Sequence, residues 1–225
     1  MSKAHRQTEA VGSANTPEGG GPGLVEIVLE LLKARRERLA VVESCTGGLL
    51  GAMLTAIPGS SAVFAGGWIT YTNAMKVAEV GVPGELFPDA ARPAADPPGA
   101  VSAQVARAMA LGGLEHARFG FATGEGVEHC LAVTGIAGPD GGTESKPVGT
   151  VWICRASRET EDRGAHLADC RRFRFPGDRD SVREHAATTA LAMLRQALTG
   201  VEAALPHQQE PTSESSPEPG TSPKT

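Results

Sequence analysis

The sequence predicts a single domain of the α/β class, mainly because two short apolar strands end in glycine-rich turns. Residues Leu39–Glu43 have the composition of a buried strand, and a Ser-Cys-Thr-Gly-Gly turn then leads into a run with helical periodicity at 49–57. Residues 131–133 form a second apolar run that stops at a Thr-Gly pair. A chain of 225 residues with 40% hydrophobic side chains can bury one good core.

The two ends of the chain differ from its middle in composition. Residues 1–23 and 206–225 are polar and rich in Gly, Pro and Ser, so we predict disordered tails around a folded domain at 24–205. The formal net charge of −5 includes −2 from the C-terminal tail and none from the N-terminal one, which leaves −3 in the domain. A mildly acidic domain without a basic stripe argues against direct binding to nucleic acid.

The sequence contains neither a membrane span nor the apolar core of a signal peptide, so we expect a cytoplasmic protein. The cysteines Cys45, Cys130, Cys154 and Cys170 include no Cys-x-x-Cys pair, which favours reduced thiols over a disulfide framework or a zinc site. Cys45 lies next to Ser44 near a predicted helix start. It is either a reactive thiol or, as is commoner for a single cysteine, a buried spacer.

The remaining elements follow from periodicity and from breaker residues. Apolar positions at helical spacing predict helices at 24–32, 73–79 and 101–114, and apolar runs predict strands at 62–72, 149–157 and 166–175, the last two as an edge hairpin. The proline-rich segment 81–99 predicts a surface loop or lid. Ser181 and Glu184 have the spacing of a capping box, which predicts a last helix from Ser181 to Leu198.

Hydroxyl side chains at two strand ends predict a ligand crevice. Ser44 and Thr46 follow the first strand, and Thr134 follows the second. In open α/β sheets ligands bind beyond the carboxyl ends of strands, and Gly47 and Gly48 allow a ligand to approach the backbone closely. From these residues alone two alternatives stay open: Ser44 or Thr46 caps the helix, and both loops are ordinary glycine-rich turns.

Other polar residues lie where they can join such a crevice. Tyr71 is at the end of the strand predicted at 62–72, and Asn73 and Lys76 are on the first turns of the helix that follows. Arg179 is predicted to lie in a loop before the last helix, where a guanidinium can reach a carboxylate or a phosphate. A lone arginine in such a place is more often a solvated or capping charge.

Missing motifs exclude several enzyme classes. The chain has no G-x-x-x-x-G-K-[ST] loop for ATP, and Ser44 has Val42 and Thr46 where a nucleophile elbow has glycines. The six histidines show no metal-ligand spacing. We therefore expect no metal and no other cofactor.

Seven blocks of sequence, taken in order, resemble one known family. They are ESCTGG (43–48), PGSSAVF (58–64), TYTNAMK (70–76), AVS (100–102), VTGIAGPDGG (133–142), KPVGTVWI (146–153) and FPGDRDSV (175–182). They resemble the CinA C-terminal domain, the nicotinamide-nucleotide amidohydrolase or PncC-like family, over residues 24–198. The resemblance implies a single three-layer α/β/α domain with a mixed sheet. It also implies the stand-alone form, since full-length relatives carry a further N-terminal domain.

The resemblance further implies a reaction and a set of site residues. The family hydrolyses the carboxamide of nicotinamide mononucleotide to nicotinate mononucleotide and ammonia, in pyridine nucleotide salvage. By position, Ser44 matches the family's nucleophile, and Lys76 and Tyr71 match its lysine and tyrosine; which of these two is the immediate base stays open. The implied substrate contacts are Thr46, Gly47, Gly48, Asn73, Thr134, Gly135 and Arg179.

The chemistry of amide hydrolysis is consistent with this assignment. Lys76 can accept the Ser44 proton only if its pKa is lowered from about 10.4. Backbone N–H groups at 45–48 are candidate donors to the oxyanion, and Thr46 becomes a better candidate than Ser44 for the helix cap. We expect nicotinamide mononucleotide as the partner and a homo-oligomeric assembly. The alternative is a nucleotide-binding or interaction module without turnover, linked to competence or DNA damage.

Overall fold

The structure is a computed structural model, and it describes residues 23–88, 97–117, 126–158 and 165–209. The helices are α1 (Leu24–Arg35), α2 (Leu49–Thr55), α3 (Asn73–Val80), α4 (Ala103–His116) and α5 (Arg179–Thr199). The strands are β1 (Leu39–Glu43), β2 (Phe64–Ile69), β3 (His129–Gly135), β4 (Thr150–Arg158) and β5 (Ala165–Arg174). Most of both predicted tails, and residues 89–96 of the predicted loop or lid, lie outside the described residues.

The strands form one mixed sheet in the order β2-β1-β3-β4-β5. Strand β1 pairs in parallel with both β2 and β3, whereas β4 is antiparallel to β3 and to β5. The predicted β4–β5 hairpin is therefore confirmed. The carboxyl ends of β1, β2 and β3 meet at one edge of the sheet, where ligands bind in open α/β folds.

Helices cover both faces of the sheet. Every residue of β1 is buried, and its side chains alternate between the two faces. Leu39 and Val41 belong to the core beneath α1, α2 and α5, and Ala40 and Val42 belong to the core beneath α4. The predicted three-layer α/β/α architecture is thus confirmed. Among the described residues, no helix is long and apolar enough to cross a membrane.

Two adjacent glycines allow α4 to pack closely. A Cβ atom on Gly113 would collide with the Val42 side chain in β1, and one on Gly112 would collide with the Val80 carbonyl oxygen at the end of α3. Neither position requires a left-handed backbone, so the reason for glycine here is space rather than conformation. Helix α4 therefore lies close to both the sheet and α3.

The predicted start of the last helix is wrong. Helix α5 begins at Arg179, and Asp178 is its cap, because the Asp178 carboxylate accepts the Ser181 N–H at 2.9 Å. Ser181 is therefore not the N-cap residue that the predicted capping box with Glu184 requires, because the helix starts two residues earlier. Strand β2 is also shorter than predicted and ends at Ile69.

Residues just beyond position 205 pair with the edge of the sheet. The Gln209 N–H donates to the Arg172 carbonyl at 2.9 Å, and the Arg174 N–H donates to the His207 carbonyl at 3.1 Å. Residues 206–209, which composition assigns to the tail, thus pair with the edge strand β5. The free backbone groups of an edge strand offer partners that composition does not reveal.

The expectation of four reduced thiols is also wrong. Cys154 and Cys170 are joined by a disulfide, whereas Cys45 and Cys130 are free and buried. The two bonded cysteines are direct partners across the β4–β5 hairpin. The two cysteines are 16 residues apart in the sequence, and this spacing does not predict the disulfide. The disulfide depends on the register of the hairpin, which the sequence alone does not specify.

Candidate active site

A cavity of about 170 Å³ lies at the carboxyl ends of β1, β2 and β3. It is lined by Ser44, Cys45, Tyr71, Lys76, Ala100, Val101, Thr134, Gly135, Ala137 and Arg179. Six of the residues selected from the sequence are among them. Chain segments that are far apart in sequence therefore converge on one site, as the two strand ends predict.

Ser44 and Lys76 form the centre of this cavity. The Lys76 Nζ atom lies 3.0 Å from Ser44 Oγ and donates a second hydrogen bond to the Thr70 carbonyl at 2.7 Å. Ser44 follows β1 directly, and Lys76 projects from the first turn of α3. The start of α3 is fixed by its N-cap residue, Thr72, whose hydroxyl accepts the Met75 N–H. The lysine is only 1% exposed. In such a contact a lysine in its neutral form can accept the proton of the serine hydroxyl.

Burial changes the acid–base behaviour of Lys76. Loss of solvent lowers its pKa from 10.5 to about 8, with a small opposing effect of the Cys45 thiol. At neutral pH roughly a tenth of the molecules then hold a neutral amine that can accept a proton. Such a pKa, close to the working pH, is what a general base needs.

The turn after β1 is held by a carboxylate rather than by a hydroxyl. Glu43 accepts hydrogen bonds from the N–H groups of Gly48, Leu50 and Gly51 at 2.9, 3.1 and 2.8 Å. Helix α2 has no cap from the side chain of its own N-cap residue, so neither of the capping hypotheses for the hydroxyl residues is correct. The position of Glu43, between a strand and a glycine-rich turn, is the sequence feature from which this capping contact could have been predicted.

The N–H groups that remain as candidate donors are at the start of the turn. The Ser44 N–H donates to the Val133 carbonyl at 2.9 Å and the Gly47 N–H to the Ser44 carbonyl at 3.1 Å. Within the described part of the chain, the N–H groups of Cys45 and Thr46 donate to no backbone carbonyl, and the acceptor near them is the Cys45 sulfur. Because a thiol is only a weak acceptor, these two N–H groups are the candidate donors to a ligand oxygen among those predicted at 45–48.

Cys45 is a buried spacer rather than a reactive thiol. Burial raises its pKa to about 12, and the nearby N–H groups of Cys45 and Thr46 and the Lys76 amine only partly oppose this. A thiol with this pKa is protonated at neutral pH and is a poor nucleophile.

Arg179 and Tyr71 lie at the mouth of the cavity and contact each other. The guanidinium donates to the Tyr71 hydroxyl at 2.9 Å and to the Gly138 carbonyl at 2.7 Å. Arg179 is the first residue of α5, so the prediction that it lies in a free loop is wrong. Tyr71 is 58% exposed, and among the described residues its hydroxyl bonds neither Ser44 nor Lys76.

Thr134 and Gly135 form the opposite wall. The Thr134 hydroxyl donates to the Ala100 carbonyl at 2.9 Å, so its O–H proton fixes that wall, and toward a ligand the hydroxyl can act only as an acceptor. Ala100 and Val101 were not selected from the sequence, although they belong to the short AVS block of the family resemblance. Ala137 was missed because its side chain carries no polar group.

Four of the selected residues are not part of the cavity lining: Thr46, Gly47, Gly48 and Asn73. Thr46 is fully buried, and its carbonyl accepts from Arg183. Gly47 and Gly48 have φ values of 60° and 96°, so they are needed for the shape of the turn. Asn73 begins α3 with an exposed side chain. Among the described residues, no cluster of three His, Cys, Asp or Glu side chains could hold a metal ion.

Comparison with known proteins identifies the family. The sequence profile of the CinA C-terminal domain matches residues 22–198. The chain belongs to the CinA C-terminal domain family. The CinA-like protein of Gemmatimonas aurantiaca is 47% identical over 178 residues, which cover 79% of this chain and 36% of that protein. The CinA-like protein of Cyanothece sp. is 47% identical over 175 residues, which cover 78% and 37%. This CinA-family chain thus spans little more than a third of the length of these curated relatives.

Solved structures of the CinA superfamily share this fold. The CinA superfamily protein of Klebsiella pneumoniae is 32% identical, with a TM-score of 0.62 over 79% of this chain and 96% of that chain. The competence/damage inducible protein CihA of Agrobacterium tumefaciens is 34% identical, with a TM-score of 0.59 over 79% and 97%. The name of the Agrobacterium tumefaciens protein describes that protein as competence/damage inducible. The names of these relatives state no reaction.

Proposed function

We propose that this CinA-family domain hydrolyses the carboxamide of nicotinamide mononucleotide, with Ser44 as nucleophile and Lys76 as base. The observation that carries the proposal is the 3.0 Å contact between Lys76 Nζ and Ser44 Oγ, both of which are buried at the base of the cavity. A serine hydroxyl becomes a nucleophile only beside a group that takes its proton, and a buried lysine of lowered pKa is such a group.

The first half of the reaction forms an acyl-enzyme. Neutral Lys76 takes the proton as Ser44 Oγ attacks the carboxamide carbon, and the resulting oxyanion accepts hydrogen bonds from the Cys45 and Thr46 N–H groups. When the tetrahedral intermediate collapses, the C–N bond breaks. The Lys76 ammonium gives its proton to the departing amine, so ammonia leaves and nicotinate remains bound to Ser44 as an ester.

The second half of the reaction releases the acid. Water attacks the ester carbon while Lys76 again accepts a proton, and collapse of the second intermediate returns that proton to Ser44 Oγ. The net change is addition of one water and release of one ammonia, with Ser44 and Lys76 restored. No cofactor takes part.

The size of the cavity limits how the substrate binds. A volume of about 170 Å³ is below the roughly 300–1,000 Å³ of pockets that enclose whole ligands, so only the carboxamide end enters. The ribose phosphate then lies at the mouth, where Arg179 is exposed and uses only some of its five N–H donors on Gly138 and Tyr71. We assign the phosphate to this guanidinium.

The test is ammonia release from nicotinamide mononucleotide by the purified protein. Ser44→Ala and Lys76→Met should each abolish it, and Ser61→Ala, a change at an exposed serine away from the cavity, should leave it unchanged. Arg179→Met should raise KM for the mononucleotide more than for nicotinamide riboside, which lacks the phosphate.

Two results would redirect the assignment. Binding of the mononucleotide without ammonia release between pH 6 and 10 would favour the alternative of a nucleotide-binding or interaction module, in line with the competence and damage names of the relatives. Ammonia release from another carboxamide in a substrate panel, but not from the mononucleotide, would retain the Ser-Lys chemistry and change the substrate.

A further inference from the structure

The Glu43 side chain is buried directly behind the proposed nucleophile. Glu43 is 1% exposed, and its two carboxylate oxygens share three backbone N–H donors from the turn and from α2. Among the described residues no cation lies within 4.0 Å of it, so the backbone N–H groups are what compensates the buried charge. A carboxylate that accepts several N–H bonds is held in one orientation.

The backbone on either side of Glu43 is fixed as well. The Glu43 carbonyl accepts the Thr70 N–H at 2.8 Å, and the following Ser44 N–H donates to Val133 at 2.9 Å. The start of the turn is thus tied to β2 and β3, while the Glu43 side chain ties the far end of the same turn at Gly48. Between these two anchors lie Cys45 and Thr46, whose N–H groups are the candidate donors.

Gly51 lies beside the carboxylate in the first turn of α2 and donates its N–H to Glu43 Oε1 at 2.8 Å. A Cβ atom at this position would lie 3.4 Å from Glu43 Oε1, which is an ordinary van der Waals distance. An alanine therefore fits here and leaves the carboxylate in place.

The Glu43 carboxylate also limits which N–H groups a substrate can use. The N–H groups of Gly48, Leu50 and Gly51 already donate to this carboxylate, so they are not available to a phosphate or to the reacting oxygen. The Cys45 and Thr46 N–H groups are then the remaining donors of this turn beside Ser44 Oγ.

We propose that Glu43 is a positioning residue for the proposed reaction, which orients the Cys45 and Thr46 N–H groups as the oxyanion donors by clamping the far end of the nucleophile turn. This inference rests on the proposed function. Glu43 touches neither substrate nor reacting atoms and acts through the backbone. Because negative charge on the carbonyl oxygen develops only during the reaction, displaced donors should lower kcat and leave KM nearly unchanged.

The principal variant is Glu43→Gln, assayed for ammonia release from nicotinamide mononucleotide and normalised to the folded fraction measured by circular dichroism. Glutamine keeps the shape of the side chain but turns an NH₂ group toward a backbone N–H, so kcat should fall at least roughly tenfold, since removal of one oxyanion donor typically costs about 10²–10³. Gly51→Ala is a control on the same turn: its Cβ would make only an ordinary contact with Glu43 Oε1, so kcat should stay within twofold of wild type. A merely structural role of Glu43 would move stability and activity together.

The matched control is Val28→Ala, a core truncation in α1 on a buried residue remote from the cavity. It should reduce stability and leave kcat per folded molecule unchanged. If Glu43→Gln keeps kcat per folded molecule within twofold of wild type, the proposal is overturned. A loss of activity in Glu43→Gln that is only proportional to its unfolded fraction overturns it equally.

A second readout separates this inference from the choice of substrate. An alkyl fluorophosphonate reacts with an activated serine: a bond forms between Ser44 Oγ and phosphorus, fluoride leaves, the serine proton goes to Lys76, and the phosphoryl oxygen occupies the oxyanion position. Mass spectrometry follows this labelling, which should slow at least roughly tenfold in Glu43→Gln. If the wild type is labelled but releases no ammonia from the mononucleotide, the proposed function fails and the labelling rates decide the role of Glu43. Absence of both labelling and ammonia release in the wild type would overturn both.

Discussion

Replacing Lys76 with methionine should change the stability of the protein in a way that depends on pH. Lys76 is 1% exposed, and burial lowers its pKa from 10.5 to about 8. The unfolded chain holds the proton up to pH 10.5, whereas the folded chain releases it above about pH 8. Below pH 8 both states are charged, and the folded state bears the full cost of the buried cation. Between these values the wild-type protein gains stability as pH rises.

The size of this effect follows from the two pKa values. The cost of the charged amine is about 3 kcal/mol at pH 7 and about 1.4 kcal/mol at pH 9.5, since each pKa unit corresponds to 1.36 kcal/mol. Methionine removes this cost but leaves the Thr70 carbonyl without its 2.7 Å partner, a loss of about 1–3 kcal/mol that is the same at both pH values. Relative to wild type, the variant should therefore lose about 2 kcal/mol between pH 7 and 9.5.

Urea unfolding followed by circular dichroism at the two pH values measures this difference. Lys33→Met is the control, because Lys33 is at the surface in a pair with Glu30 and its loss should change the free energy of unfolding by less than about 0.5 kcal/mol. A stability difference between Lys76→Met and wild type that is the same at pH 7 and 9.5 would refute the lowered pKa of Lys76, and with it the reason for calling this residue a base.

Three further predictions follow from the structure. For the proposed amidase, kcat/KM should rise about tenfold per pH unit below about pH 8 and level off above it, because only the neutral lysine accepts a proton; a profile without a bend near pH 8 contradicts this. Gly112→Ala should lower the free energy of unfolding by more than about 2 kcal/mol through collision with the end of α3, whereas Gly84→Ala, with nothing within 4 Å, should change it little; equal effects in thermal unfolding would disprove the packing argument. Burial raises the pKa of Glu37, but hydrogen bonds with His129 and Arg35 outweigh it and lower the pKa from 4.5 to about 2. Glu37→Gln should therefore lower the free energy of unfolding by about 1 kcal/mol at pH 7, after allowance for partial exposure, and this loss should shrink as pH falls below 4.5 toward 2. Urea titrations at pH 7 and 3 measure the loss at each pH, and an equal loss at both would contradict the prediction.

Much of the fold was predictable because its signals are local. The apolar run at 39–43 and its glycine-rich turn define β1 and the start of α2, and the same pattern at 131–135 defines β3. Parallel strands end on the same side of a sheet, so these two patterns were enough to bring Ser44 and Thr134 to one cavity. The predictions that failed concern contacts that depend on strand register or that join residues far apart in the sequence. The pairing of Cys154 with Cys170 requires the hairpin register, and the pairing of β5 with residues 206–209 requires an unoccupied edge.

Helix capping shows the same limit within the site. Hydroxyl residues were plausible caps for α2 by their position, yet a glutamate at the end of the preceding strand supplies the acceptor. A buried charged residue at the end of an apolar strand is rare enough to indicate a partner, and the nearest candidates were the N–H groups of the helix that follows. The contact of Arg179 with Tyr71 had no such signal, because 108 residues separate them.

The separation of Glu43 from Lys76 is what makes the two buried charges compatible with catalysis. A carboxylate beside Lys76 would stabilise its ammonium form and raise its pKa, and the amine could then no longer take the Ser44 proton. In the described structure no carboxylate lies within 4.0 Å of Lys76, while Glu43 is compensated by three backbone N–H groups on the other side of the turn. Both charges act on the Cys45 thiol: Glu43 raises its pKa and Lys76 lowers it. Burial has the largest effect and raises the pKa of this thiol to about 12. The thiol therefore stays neutral although it lies within electrostatic range of both Glu43 and Lys76. An ionised residue in its place would couple to both charges and shift the proton equilibrium of Lys76.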